Sequence, residues 1–475
     1  MSILDKNIMK GKKHIHFIGI GGSGMYPLAQ ILHSQGYYLT GSDNNETETL
    51  DAVRKMGIPV FVGQRAENIE GADLIVHTAA IMADNPELIA SKASGVPVLE
   101  RSELLGIVTS WYDNAICVSG THGKTTTTSM ITQILYTAGV DLSAFIGGKL
   151  PCIGGSGRAG KSDIMVCESC EFVDTFLKLY PDAAVILNID EDHLDYFKNL
   201  ENIIKSFHKF ASNATKALII NGDDANTLKA IEGIEGKRLI TFGLDTQNDY
   251  YALNITRVSG METEFDAYRK GELLGRITLH VAGMHNVMNA LAAIASADYA
   301  GAAFSDIQKG LSDFRGAGRR FELIGKEKGV TIADDYAHHP TELSVTLKAA
   351  MDMGYKNVWA VFQPFTFSRT SILLDDFAKA LSIPDKAVLT DIMGSREKNT
   401  YNIFTRNLAE KIDGCVYFPQ DESAEYTDTR KYQNFDDVCN YVCENAQDGD
   451  LVITLGCGDV YKVAKMILKK LKDKG

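Results

Sequence analysis

Ala115-Ile-Cys-Val-Ser119, running directly into Gly120-Thr-His-Gly123-Lys124-Thr125-Thr126-Thr127, decides the fold class of this chain. A short apolar run reads as a buried strand, the glycines as a tight turn, and the residues beyond as a helix. The turn is a shortened phosphate loop. The usual spacing places a glycine where Val118 stands, so the general pattern is met only in part. The chemistry survives the shortening. Backbone N–H groups of the turn can cradle phosphate oxygens, Lys124 adds a point charge, and Thr125 can ligate Mg²⁺. A chance Gly-Lys-Thr on a surface turn would lack the strand before it and the helix after it.

Outward toward the N-terminus, short β-rich runs alternate with helical periods: His14–Ile20, a helix through Met25–Ser34, Tyr38–Ser42 and Asp73–His77. That alternation implies βαβ units and a parallel sheet. Toward the C-terminus, strands are expected at Ile164–Cys167, Ala184–Asn188, Ala217–Asn221 and Leu239–Phe242. Tyr250–Val281 alternates with period two around Gly260, Gly271 and Gly275, which predicts an antiparallel meander, and a helix follows over Asn286–Ala300. The basic, glycine-rich stretch Phe314–Phe321 reads as a linker. Beyond it, Val330–Ala333, Val358–Phe362, Ala387–Leu389 and Leu451–Leu455 predict another α/β domain, and residues 394–400 a loop. The expectation is an α/β protein of three domains, 1–110, 111–316 and 317–475, in line with about 150 residues per domain.

Composition narrows the partners. With 48 basic and 61 acidic residues the net charge is −13, which argues against broad contact with nucleic acid or an anionic membrane. No stretch reaches the roughly 18 consecutive apolar residues that span a bilayer, and the polar start, Met1 to Lys13, is no secretory signal. Eight scattered cysteines, with a lone Cys167-x-x-Cys170, fit core thiols better than zinc. The compartment expected is the cytoplasm.

Further polar clusters sit where open α/β sheets present their ligand sites. Gly19-Ile-Gly21-Gly22-Ser23-Gly24 follows a strand and opens a helix, and Asp43 lies 19 residues beyond Gly24 at the end of the next strand. Close backbone approach and a helix N-terminus suit a pyrophosphate, from a dinucleotide or a sugar nucleotide alike. Glu168 ends one strand and Asp190-Glu-Asp192-His193 another. With Thr125 they form a carboxylate, hydroxyl and imidazole set suited to Mg²⁺ or Mn²⁺. Asn286 and Asn289, one helical turn apart, could read an adenine edge, although Asn286 could simply cap its helix. Asp334-Asp335-Tyr336-Ala-His338-His339-Pro340, Gln363-Pro-Phe-Thr-Phe-Ser-Arg369-Thr370 and Gly456-Cys-Gly458-Asp459 occupy successive strand ends in the third domain.

The order of these motifs resembles the ATP-dependent Mur ligases of peptidoglycan synthesis, over nearly the whole chain from Gly19 to Asp459. GIGGSGM (19–25), GTHGKTTTT (120–128), NIDEDHLDYF (188–197), HNVMNALAA (285–293), GRRFE (318–322), DDYAHHPTE (334–342) and GCGD (456–459) carry it. The first and the DDYAHHPTE stretch point to the members that add alanine. The resemblance implies a Rossmann-like UDP-binding domain, a central phosphate-loop ATPase-type domain and a C-terminal Rossmann-like domain. It implies ATP and Mg²⁺ (or Mn²⁺) as cofactors, and UDP-N-acetylmuramate and L-alanine as small-molecule substrates of a monomer or homodimer. By position, Gly19, Gly21, Gly22, Ser23 and Gly24 would hold the UDP pyrophosphate, with Asp43 and His77 near the uridine end. Gly120, Thr121, His122, Gly123, Lys124, Thr125 and Thr126 would bind the ATP phosphates. Thr125, Glu168 and His193 would be metal ligands, and Asn286 and Asn289 adenine contacts. Arg320 would reach the γ-phosphate, Asp335 the ribose, and Tyr336, His338 and Arg369 the incoming amino acid.

Three positions depart from the pattern: Phe365 and Thr366 stand where many relatives carry His and Arg, and Cys170 where they often carry Asp. Three other readings compete, the first a related Mur-type ligase that takes a different amino acid or a preformed peptide. An NAD-dependent oxidoreductase would use the first glycine loop and Asp43 but leaves residues 120–128 without a task. A nucleotide-operated binding protein would use the phosphate loop as a switch and hydrolyse ATP slowly whatever amino acid is present.

Overall fold

The computed structural model describes residues 6–395, 397–419 and 434–473. Three sheets organise three α/β domains. The first has strand order Val60–Val62, Tyr38–Asp43, His14–Ile18, Leu74–His77, Val98–Glu100, all parallel. The order in which the chain lays down strands reverses between His14–Ile18 and Leu74–His77, successive strands going to one side and then to the other. In an open α/β sheet the crevice at that switch point is where ligands bind. The glycine loop Gly19–Gly24 leaves from the first of these two strands.

The second sheet has ten strands, and Asn114–Ser119 lies between Ala183–Ile186 and Ile164–Glu168, parallel to both. Those three strand ends carry the phosphate loop, the acidic turn and Glu168. Ile116, Cys117, Val118, Val166 and Val185 are all fully buried, as expected of a strand covered on both faces. Ser143–Leu150 pairs antiparallel with Gly155–Arg158 at one edge, and Thr263–Arg269 with Glu272–Leu279 at the other. The expected meander lies at that edge in chain order, Tyr250–Arg257 beside Thr263–Arg269 and Thr263–Arg269 in a hairpin with Glu272–Leu279, and Tyr250–Arg257 joins it to the sheet by pairing parallel with Arg238–Gly243. Alternation reports a half-exposed strand but not the direction of its neighbour. Gly275, at φ 151°, sits opposite the register shift of that hairpin, where Phe304 leaves no room for a Cβ.

The third sheet runs Glu322–Glu327, Val330–Asp335, Leu451–Leu455, Val358–Phe362, Lys386–Leu389, Val416–Tyr417. Its first pair is an antiparallel hairpin and the rest are parallel. The sequence did not predict Glu322–Glu327, whose exposed edge position leaves it without a clear apolar pattern. The chain forms two compact units: residues up to Ala317, which hold the first two sheets, and Gly318 onward, which hold the third, with 257–262 and 281–283 belonging to the latter. The loop expected at 394–400 has no regular structure at its described positions, and Arg396 lies outside the described residues. No helix among the described residues is long and apolar enough to cross a membrane.

Candidate active site

The phosphate loop is built on glycine conformations. Gly120 has φ 147° and Gly123 φ 88°, the latter at the N-cap of helix Lys124–Thr137 with no side-chain cap. A Cβ on Gly123 would lie 2.4 Å from Asn289 Oδ1. The loop is braced from the acidic turn: Thr121 N–H donates to Asn188 O, and His122 N–H to Asn188 Oδ1 at 2.8 Å. Asp190 N–H donates to Thr121 Oγ1 at 2.9 Å. The N–H groups of Gly123, Lys124, Thr125 and Thr126 meet no acceptor among the described residues. Four consecutive unsatisfied donors at the positive end of a 14-residue helix form an anion cradle.

Lys124 lies along this loop. Its Nζ donates to Gly120 O at 2.6 Å, to Thr121 O at 3.0 Å and to Glu171 Oε1 at 3.0 Å. Burial is the largest influence and works against its charge, but the attraction and hydrogen bond of Glu171 together with the nearby charges, Glu168 among them, outweigh it and raise the ammonium pKa. Lys124 stays a cation.

Carboxylates converge on the same strand ends. Thr125 Oγ1 donates to Glu168 Oε1 at 3.0 Å, and Gly147 N–H to Glu168 Oε2 at 2.8 Å. Gly147 is required there, since a Cβ would sit 2.4 Å from Glu168 Oε1. His193 lies with Glu171 and Asp192: one ligand atom of each falls within 4.8 Å of the others. The expected metal set thus comes as a Thr125–Glu168 pair and a Glu171–Asp192–His193 group. Hard oxygen donors with one imidazole fit Mg²⁺ or Mn²⁺ and suit a soft thiophilic metal poorly. Asn286 and Asn289 are both buried, with Asn289 Nδ2 donating to Asn286 Oδ1 at 3.0 Å. The structure places the pair against the phosphate loop.

In the first sheet, Gly19 and Ile20 donate to Ser42 O, and Gly22 to Gly19 O. Asp43 braces the same loop, accepting from Gly21 N–H at 3.0 Å with Oδ2 and from Asn45 N–H at 3.1 Å with Oδ1. Ser23 and Gly24 N–H meet no acceptor among the described residues. His77 ends its strand at the switch point, its Nδ1 3.0 Å from Thr78 O. Sequence reasoning missed Arg101, which lies over Gly24 so closely that a Cβ there would be 3.1 Å from its Nη1. It opens the helix Arg101–Thr109 and brings a cation to Gly24 from outside any glycine motif.

In the second unit, Asp335 is 6% exposed and both its oxygens are engaged. Oδ2 accepts from Phe321 N–H at 2.7 Å, and Oδ1 from Ala337 N–H at 2.8 Å. Burial pushes its pKa up to about 6 against the pull of Arg320. This ties the linker's end to the strand. Neighbouring Asp334 pairs with Arg319 at 2.9 Å, while Arg320 lies 5.3 Å from the Tyr336 ring. His338 Nδ1 faces two acceptors, Tyr336 O at 3.1 Å and Glu342 Oε2 at 3.2 Å. With acceptors on that side, a neutral imidazole carries its proton on Nδ1 and leaves the Nε2 lone pair over. Glu342, absent from the sequence-based set, is held ionised: burial, the largest influence, is outweighed by the side-chain and backbone hydrogen bonds and attraction of His338 together with the attraction of Arg320, and its pKa falls well below the usual range. Arg369 Nη1 is buried without a hydrogen-bond partner, a spare donor suited to a carboxylate.

Comparison with known proteins decides among the readings. Models described as Mur ligase family, catalytic domain; Mur ligase middle domain; and Mur ligase, glutamate ligase domain match residues 14–112, 118–297 and 319–458. The UDP-N-acetylmuramate–L-alanine ligase of Acetivibrio thermocellus is 43% identical over 478 residues, covering 99% of this chain and 98% of the relative. The protein of the same name from Agathobacter rectalis is 45% identical, covering 96% and 98%. The chain belongs to the Mur ligase family. Among solved structures, UDP-N-acetylmuramate-alanine ligase from Thermotoga maritima matches this Mur ligase with a TM-score of 0.80 at 26% identity, covering 98% of this chain and 100% of that one. As a Mur ligase, the chain is an ATP-dependent ligase. The family resemblance read from the motifs is borne out.

Proposed function

We propose that this chain joins L-alanine to the lactyl carboxylate of UDP-N-acetylmuramate, converting ATP to ADP and phosphate, as a step in making peptidoglycan precursors. Full-length identity above 40% to relatives of that name supports the substrates. The observation that carries the chemistry is the pairing of an uncapped phosphate loop and its lysine with the carboxylates of Glu168, Glu171 and Asp192. We place the reaction in the cytoplasm, where ATP is made.

A carboxylate is a poor acylating agent. One of its oxygens attacks the γ-phosphorus of ATP, ADP leaves, and an acyl phosphate forms. The alanine nitrogen then attacks the acyl carbon, and the tetrahedral intermediate expels phosphate. The first step crowds anionic oxygens together, so catalysis is mainly placement of positive charge and donors. The free N–H groups of Gly123–Thr126 and the Lys124 ammonium, which the loop holds in place, are assigned to the nucleotide phosphates. A divalent cation would be held by Thr125, Glu168 and the Glu171–Asp192–His193 group, and when bound it neutralises phosphate charge. Asn286 and Asn289 are assigned to adenine, and Ser23, Gly24, Asp43 and His77 to the UDP end of the sugar nucleotide. Arg320 is assigned to the transferring phosphate, Asp335 to the nucleotide side of that domain, and Tyr336 and Arg369 to alanine. His338 takes a proton from the alanine ammonium at Nε2, the nitrogen its hydrogen bonds leave open.

Phosphate release from ATP tests the reading, with UDP-N-acetylmuramate present and alanine, glycine or serine supplied in parallel. Release is expected to need both the sugar nucleotide and an amino acid, with alanine fastest. Absence of release with all three sinks the proposal, and glycine or serine matching alanine would show that Phe365 and Thr366 have widened the pocket.

A further inference from the structure

We propose that Glu171 makes nucleotide binding at the phosphate loop depend on a divalent cation, because it occupies the proton of Lys124 that a phosphate needs. The proposal rests on reading Gly120–Thr126 as the ATP site. A lysine ammonium has three protons. Here two go to carbonyls of the loop itself, Gly120 O and Thr121 O, and the third to Glu171. The loop carbonyls move with the loop, so the proton a phosphate oxygen can claim is the one on Glu171.

Glu171 is not free to swing aside. Its side chain is 3% exposed, and its carbonyl accepts from Asp174 N–H at 2.9 Å in the turn it opens. That turn is unusual. Val173 and Asp174 both sit in the left-handed region, at φ 52° and 57°, which a β-branched residue rarely adopts. Tyr196 Oη and Ser206 Oγ hydrogen bond to the Asp174 carboxylate and fix it. The carboxylate therefore remains at the loop when Lys124 turns to a phosphate. It is then a buried anion stripped of its counter-charge and facing another anion, a costly arrangement.

The same side chain offers the release. Glu171 Oε2 stands 2.9 Å from Nζ yet receives no hydrogen bond, and Asp192 and His193 bring ligand atoms to within 4.8 Å of it. A divalent cation accepted by these three groups would satisfy Glu171 once Lys124 leaves it. Metal and nucleotide then favour one another through a single carboxylate that changes partners, a reciprocal coupling.

Calorimetric titration of the whole protein with ADP, in EDTA and in excess Mg²⁺, tests this without turnover. Wild type is expected to bind ADP at least about tenfold more weakly in EDTA, the scale of one charged hydrogen bond. Glu171→Gln keeps the shape and removes the charge. It is expected to tighten ADP binding in EDTA by about tenfold and to shrink the Mg²⁺ effect to a few-fold. Glu171→Ala should move the same way, and unchanged UDP-N-acetylmuramate affinity in both variants shows that the fold is kept. Mn²⁺ binding without nucleotide, followed by electron paramagnetic resonance, should weaken in Glu171→Gln. Metal-free ADP affinity equal to wild type in both folded variants overturns the proposal. Failure of wild type to bind ADP even with Mg²⁺ would overturn the ATP-site reading itself, and the inference with it.

Discussion

The two glycine loops of the first unit share a plan, in which a parallel strand runs into glycines and then a helix, yet they treat their backbone donors in opposite ways. In Gly19–Gly24 four successive N–H groups are already used: Gly19 and Ile20 on Ser42 O, Gly21 on Asp43, Gly22 on Gly19 O. Only Ser23 and Gly24 remain open, and the loop contains no lysine. In Gly120–Thr126 the pattern is reversed, with four consecutive open donors, a buried lysine and carboxylates at the neighbouring strand ends. On the proposed function, the first loop is braced to hold an anion that does not react. The second keeps charges of both signs in near balance, ready to be redistributed when a phosphoryl group moves. On that proposal the same topological position serves grip in one sheet and chemistry in the other, and the difference lies in which donors the chain satisfies for itself.

The sharpest way to break this contrast is Lys124→Ala. Turnover should fall by about 10³-fold or more, while circular dichroism and UDP-sugar binding stay as in wild type. Activity within tenfold of wild type would remove the lysine from phosphoryl transfer and erase the distinction between the loops.

Asp43 and Asp335 extend the comparison to a second pair, since each is a strand-end carboxylate that accepts backbone N–H groups from a neighbouring segment. Asp335 is deeply buried and its pKa is about 6 instead of 3.8, with burial the cause. Between these two values the folded chain holds a proton that the unfolded chain has lost. Stability from this group is therefore full below about pH 4 and declines as pH rises through 6, by about 3 kcal/mol for a two-unit gap. Urea unfolding of wild type and Asp335→Asn at pH 4 and pH 7 isolates the effect, because other groups cancel in the difference. Wild type should compare better with the variant at pH 4 than at pH 7. A difference that does not change with pH would mean that Asp335 is ionised in the fold at no cost.

Both loops could be read in the sequence because glycine, lysine and hydroxyl residues after an apolar run each impose a backbone or charge requirement that few other positions share. The parallel strands were equally legible: Ala217–Asn221, Val358–Phe362 and Leu451–Leu455 have the predicted bounds, since burial on both faces leaves an unbroken apolar run. Glu171 was not singled out. It sits beyond a strand end in a turn whose left-handed Val173 and Asp174 follow no period, and its partner Lys124 is 47 residues away. Glu342 was quoted as part of a motif, but its pairing with His338 depends on helix Pro340–Met351 starting where it does, a boundary that spacing alone places poorly. Arg101 has no motif around it at all. Its meaning comes from sheet order, which sets the start of its helix beside a loop about 80 residues earlier.

Smaller effects sharpen the contrast from the side of the first loop. Asp43→Ala removes the acceptor of Gly21 N–H and releases a loop whose geometry this carboxylate helps to set. Losing one charge-assisted hydrogen bond is worth about 1.5–3 kcal/mol, so KM for UDP-N-acetylmuramate should rise by about tenfold or more. KM for ATP and kcat should change little, because the second loop is braced separately through Asn188. A fall in kcat with KM unchanged would mean that the first loop takes part in the chemistry. Arg101→Ala is the gentlest probe. Its guanidinium lies at Gly24 beside the two open donors, where it adds positive charge from a partly exposed position. Screened by solvent, such a charge is worth about 1 kcal/mol or less, a rise in KM of no more than about fivefold that higher salt should diminish. If the rise is much larger and insensitive to salt, Arg101 grips the pyrophosphate directly. The first loop would then rely on a side-chain cation as the second does, and the two would differ only in their carboxylates.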